Sequence, residues 1–220
     1  MGIEVPRVVW VGTGLLAFAA GVVNAVGYLG YEHQAFSHMT GTVSLQSIAI
    51  EGSNWGNAQQ LLAVIVSFVI GSFGAGLLLR DRSLSGAYVG LLAVEAMLFI
   101  AAAALLAGGN AFGACFAAAG CGLQNAMTSF YSGSSIRSTH LTGFFTDFGL
   151  VLGQVCRGHP VPRRRLAMWG LVLFSFSTGG MVAATSFHQL GFLTLLLPSA
   201  IVGLCAIGLW IYLRPGTLQT

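Results

Sequence analysis

The chain has 220 residues, of which 55% are apolar and only 7% charged, so it lacks the polar surface that a soluble domain of this size needs and reads as an all-α integral membrane protein. All of its basic residues are Arg and the net charge is only +3. With no basic, aromatic-interleaved patch outside the apolar runs, nucleic acid is not an expected partner.

Apolar runs long enough to cross about 30 Å of hydrocarbon fall at 8–30, 58–80, 86–107, 109–130, 165–187 and 191–213, which predicts six transmembrane helices in a single membrane domain over 1–220. The first run exceeds a signal-peptide core and has no clear cleavage site before the next polar stretch, so it is expected to be retained. Between the first two runs the chain reads Ser37-His38-Met39-Thr40-Gly41-Thr42, followed by a short amphipathic run over 43–50. After the fourth run it reads Ser138-Thr139-His140-Leu141-Thr142-Gly143, followed by 144–155. The first short run cannot span, and both are expected to be re-entrant or interfacial helices. Cys115, Cys121, Cys156 and Cys205 lie in or beside apolar runs without metal-ligand spacing, so they read as small buried residues, and no metal or cofactor is expected.

If only the six long runs cross and the N-terminus is cytoplasmic, then Arg7, Arg80, Arg82, Arg137, Arg157, Arg163, Arg164, Arg165 and Arg214 all lie inside. Letting both short runs cross would move Arg80 and Arg82 outside. The expected location is therefore a bacterial inner membrane with both termini cytoplasmic and lipid as a partner. The run Arg163-Arg164-Arg165 serves as a topology anchor beside anionic headgroups.

Gly21-Val22-Val23-Asn24-Ala25 recurs as Gly122-Leu123-Gln124-Asn125-Ala126, and His38-x-Thr40-Gly41 recurs as His140-x-Thr142-Gly143. A weaker downstream match aligns Phe68 with Phe174 and Gly74 with Gly180. The repeats, 8–107 and 109–213, each hold three crossings, an odd number, so the second is expected to be inverted relative to the first.

The duplicated residues are the candidate solute-binding set: Asn24, His38, Thr40, Gly41, Asn125, His140, Thr142 and Gly143. A polar Asn inside a span is tolerated chiefly beside a partner helix or a wet cavity. Thr caps the first N–H groups of a short helix, and Gly allows close approach. Two acids break the symmetry. Glu95, near the middle of its span, is a candidate proton carrier or neutral hydrogen-bond donor, because an apolar medium disfavours the charged carboxylate. Asp147 stands where the first half has Leu45 and is a second proton-coupling candidate. Glycines at close helical spacing, such as Gly71/Gly74, Gly86/Gly90, Gly149/Gly153 and Gly179/Gly180, read as helix-packing positions.

The motifs "AGVVNAVGYL", "FSHMTGTVSL", "GLQNA" and "STHLTGFFTD" resemble the YoaK-type bacterial inner-membrane proteins, catalogued as a domain of unknown function. The resemblance runs over nearly the whole chain and implies a six-span membrane protein. Members commonly carry Asp at the position of Asn24 and Asn at that of Thr42, and this chain departs from them there.

A small-solute transporter or channel, its path between the inverted halves, accounts for the duplication, the inversion and the intramembrane polar residues together. The helix-end donors and the all-Arg cationic complement lean toward a polar or anionic solute. Two other readings remain: an accessory or scaffold membrane subunit, homo-oligomeric or otherwise, and an intramembrane enzyme using His140 with Asp147 or Glu95. The catalytic reading has no Gly-x-Ser-x-Gly elbow, metal-binding His pair or phosphate loop behind it, so the chain is expected not to be an enzyme.

Overall fold

The computed structural model describes residues 6–132, 139 and 141–214, and among these every regular element is helical. The order is α1 (Arg7–Gly30), α2 (Met39–Glu51), α3 (Trp55–Leu78), α4 (Gly86–Ala107), α5 (Gly113–Ser132), α6 (Leu141–Cys156), α7 (Arg163–Leu190), a 3-10 turn (Gly191–Leu195) and α8 (Leu196–Tyr212). Among the described residues four stretches are long and apolar enough to cross a membrane: Arg7–Gly30, Trp55–Leu78, Gly86–Ala107 and Arg163–Tyr212. The last is broken at Gly191, whose φ of +54° ends α7. The Gly- and Ala-rich α5 carries Gln124 and Asn125, which lower its apolarity. It starts later than its apolar run because the chain turns at Gly109 (φ +77°) and the Asn110 side chain accepts from the Phe112 N–H at 2.9 Å. At α3, Asn54 caps the Asn57 N–H at 3.2 Å, which moves the start ahead of the apolar run.

Two parallel helix pairs carry the bundle, and both rest on glycine set against a neighbouring backbone. Between α1 and α7, a Cβ on Gly21 would lie 2.1 Å from the Phe176 carbonyl oxygen, and one on Gly179 would lie 2.1 Å from that of Phe18. Between α5 and α3 the arrangement recurs: a Cβ on Gly122 would lie 2.0 Å from the Phe68 oxygen, and one on Gly71 would lie 2.0 Å from that of Ala119. Gly21 thus corresponds to Gly122, and Gly71 to Gly179. The downstream match therefore shifts by two residues from the expected one: Ser67-Phe68-x-x-Gly71 aligns with Ser175-Phe176-x-x-Gly179. The shifted register also pairs buried Val64 with Val172 and Ala75 with Ala183.

Helix α4 runs antiparallel to α5. Tyr88 faces Tyr131 with ring centroids 6.3 Å apart, Phe99 covers Gly120, and Leu106 covers Gly113. Each step up α4 is matched by an equal step down α5. Helix α8 closes the bundle against α4, where the Ser199 hydroxyl donates to the Ala96 carbonyl at 2.9 Å, and against α1.

Val8, Leu84, Ser132 and Leu209 line one cavity, so the start of α1, the start of α4, the end of α5 and the end of α8 share one end of the bundle. The parallel pairs bring the end of α3 and the start of α7 to that same end. Among the described residues every Arg therefore gathers there, while Glu32, His33 and Glu51 lie at the other end.

The short helices α2 and α6 sit at the periphery. Helix α2 meets α3 through a small cluster of Ala49, Ala58 and Leu61. Helix α6 docks through Phe144 and Val151 onto Trp169, Val172 and Ala17. Their other faces, including Ile48, Phe145 and Leu150, are exposed.

Candidate functional site

A cavity of about 220 Å³ opens at the Arg-rich end between α1, α4, α5 and α8. Its walls are largely apolar: Leu16, Leu92, Met127 and Leu209, with Thr13, Tyr88 and Thr128 as the main polar side chains. The Tyr88 hydroxyl is buried without a hydrogen-bond partner among the described residues. Val11 and Leu204 belong to the lining yet are 61% and 65% exposed, so the cavity also opens sideways, toward lipid if the bundle is membrane-embedded. No Arg lies among the described lining residues.

Beyond the cavity the bundle is tightly packed. Phe99, Val26, Phe36 and Leu195 are each at most 1% exposed. Phe36 comes from the loop between α1 and α2, which folds into the end opposite the Arg residues. A Cβ on Gly27 would lie 2.5 Å from the Gln34 carbonyl oxygen and 2.9 Å from the Phe36 ring, and the Tyr31 and Phe36 rings pack at a tilt of 44° with centroids 5.6 Å apart. Glycine at 27 is what admits this loop.

The two intrahelical Asn residues anchor the segments that enter the short helices. Asn24 Oδ1 accepts from the Ser37 N–H at 3.0 Å and from its hydroxyl at 2.9 Å, while Asn24 Nδ2 donates to the Ala20 carbonyl at 2.8 Å. In the other half, Asn125 exchanges hydrogen bonds with the Thr139 hydroxyl at 2.7 and 2.9 Å. Ser37 and Thr139 each directly precede a motif His, so the same clamp occurs in both halves.

The other described residues of the duplicated motif lie on the short helices or, for His38, at the N-cap of α2, and none lines the cavity. His38 and Thr40 are exposed, the His38 ring lies over half-buried Gly41, and buried Thr42 donates to the His38 carbonyl at 3.2 Å. Thr142 is exposed, with Gly143 and Asp147 half-buried on α6. His140 and Arg137 lie outside the described residues. The structure therefore brings Asn24 to Ser37 and Asn125 to Thr139, but among the described residues it does not gather the duplicated set around one volume.

Glu95 is fully buried in the middle of α4, and neither carboxyl oxygen has a hydrogen-bond partner among the described residues. Residues that motif reading passed over are Gln124, Tyr88 and the cavity walls. Gln124 stood inside the quoted repeat beside Asn125. The signal it offered was a polar residue where the first half has Val23.

No group of three or more His, Cys, Asp or Glu side chains placed to hold a metal occurs among the described residues. No curated protein and no solved structure matches the chain. The four motifs that carry the resemblance noted above all fall within residues 13–208, the stretch matched by the family model described as "Protein of unknown function (DUF1275)", and the chain belongs to that family.

Proposed function

We propose that this protein is a membrane transporter built from two inverted three-span halves. In this reading α1, α3, α4, α5, α7 and α8 cross the bilayer, α2 and α6 lie along its two interfaces, and both termini are cytoplasmic. The recurrence of one glycine-on-carbonyl contact in α1/α7 and α5/α3 supports the duplication. The two pairs point in opposite directions along the bundle, as inversion requires. The gathering of Arg at one end supports a cytoplasmic N-terminus. Arg165 over Trp169 and Arg214 over Trp210, at 5.1 and 3.4 Å from the ring centroids, suit a headgroup level.

The observation that carries the reading is the cavity where the halves meet, open at the Arg-rich end and blocked at the other by Phe36 and its neighbours. This is the form of an inward-open carrier, in which one half rocks against the other to change access. A channel would need a continuous path. The apolar lining, the lateral opening and the lack of a cation among the described lining residues favour an apolar or amphipathic solute over the polar or anionic one suggested by helix ends. Asn24 and Asn125 then serve as clamps on the entering segments rather than as direct ligands.

The test is a cavity block. Gly12 and Gly208 line the cavity, and a Cβ on either meets nothing within 4 Å, so Gly12→Phe and Gly208→Phe fill it without a backbone clash. Uptake of a panel of apolar and amphipathic fluorophores into vesicles containing the full chain is expected to fall about tenfold or more in both variants, a loss of roughly 1.4 kcal/mol or more in binding, with unchanged melting. Equal uptake by wild type, variants and empty vesicles would overturn the reading.

A further inference from the structure

The α4/α5 register sets Glu95 directly opposite Gln124. Counting from the facing pair Tyr88 and Tyr131, an equal step along each helix reaches Glu95 and Gln124, and a further step reaches Phe99 over Gly120. Leu92 and Met127, both in the cavity wall, form the layer on the cavity side. The Glu95–Gln124 layer thus lies between the cavity floor and the Phe99 seal.

Both side chains in this layer are 0% exposed. Gln124 Nε2 donates to the Leu16 carbonyl at 2.8 Å, which turns its Oε1 away from that bond and leaves it without a donor among the described residues. The two oxygens of Glu95 have none either. Three buried acceptor oxygens without a donor are costly, and one proton on the carboxyl converts an acceptor into the missing donor. Among the described residues no neighbouring charge is seen to substitute for it. Facing Glu95, α5 contributes Cys121 and Gln124, and α8 contributes Cys205 and Ser199, whose hydroxyl is committed to Ala96. The 3-10 turn brings no ionisable side chain, and α1 brings the Leu16 carbonyl that Gln124 donates to. Tyr88 and Tyr131 lie two turns nearer the mouth. Gln124 replaces Val23 of the first half, so duplication does not explain the pair.

We propose that Glu95 and Gln124 form one proton-binding site beneath the cavity, in which the Glu95 carboxylic acid donates to Gln124 Oε1 and exchanges its proton through the cavity with the Arg-rich side. The pairing stands on the register and the orphaned oxygens alone. Its use in coupling rests on the path proposed above: solute and proton would share one entrance, making the carrier proton-coupled.

Infrared spectroscopy of the detergent-purified full chain at neutral pH, in H2O and D2O, tests the site without any solute. The wild type is expected to show a protonated-carboxyl C=O band that shifts in D2O. Glu95→Gln, which keeps a donor toward Gln124 and the shape of the layer, should lose the band. Gln124→Leu should move it to higher frequency, toward that of a carboxyl without an acceptor. No such band in the folded wild type would overturn the proposal. So would a band that survives Glu95→Gln or ignores Gln124→Leu, or a carboxylate signal with sodium-dependent melting. If Glu95→Gln fails to fold, Glu95→Asp replaces it and should move the band, an unmoved band overturning the proposal; if Gln124→Leu fails to fold, Gln124→Glu replaces it and should likewise move the band. Failure of the cavity-block assay would leave this band untouched, so the two readings fail separately.

Discussion

At Gly21, Gly71, Gly122 and Gly179 a single methyl group would sit about as far from a carbonyl oxygen as a hydrogen does in a normal hydrogen bond. Replacing Gly122 or Gly21 with Ala therefore forces two helices apart and is expected to cost about 1–3 kcal/mol or more, read as a lower melting temperature in detergent. Gly74→Ala is the control: its Cβ meets nothing within 4 Å, and the gain in helix propensity should make it neutral or stabilising by about 0.5–1 kcal/mol. At Asn24 the useful atom is Oδ1, which holds Ser37 twice. Asn24→Ala should cost about 1–3 kcal/mol, because the Ser37 groups lose their acceptor. Asn24→Asp keeps an acceptor oxygen and should lose markedly less, with the same melt as the check.

At the scale of elements, α2 and α6 are held by one face each and carry little of the core. Phe144 is the main side chain docking α6, 4% exposed beside Trp169 with ring centroids 6.2 Å apart. Phe144→Ala is expected to remove about 3–5 kcal/mol of local packing. The effect should appear as faster amide exchange over 141–156 with little change in α1 or α7. The positions of all eight long and short helical segments could be read from apolar run length and from the His-x-Thr-Gly pauses, because those are local properties. The placement of the short helices was not legible. Two copies of a polar motif suggested convergence on one site, yet a motif's spacing says nothing about which neighbour covers it. Nor did glycine spacing separate packing glycines from open ones: Gly71 and Gly179 touch backbone, whereas Gly74, Gly86, Gly90, Gly149 and Gly153 touch nothing. Glu95 was legible as a lone acid in the middle of an apolar run. Its facing residue was not, since the α4/α5 register depends on the turn at Gly108–Phe112.

For the whole molecule, the central claim is that two copies of one three-helix plan face opposite ways across a membrane and meet around a cavity. The duplicated glycine contacts, the opposed directions of the two parallel pairs and the gathering of Arg at one end all bear on it. Each half also ends its short helix in an exposed turn, at Ser53 in one and His159 in the other. The most direct measurement places a single cysteine at each turn, Ser53→Cys or His159→Cys, in a chain otherwise free of cysteine. Intact cells are then treated with a membrane-impermeant thiol reagent. The inverted arrangement predicts labelling of Ser53→Cys from outside and labelling of His159→Cys only after lysis. Labelling of both from the same side would contradict the inversion and, with it, the transporter built upon it.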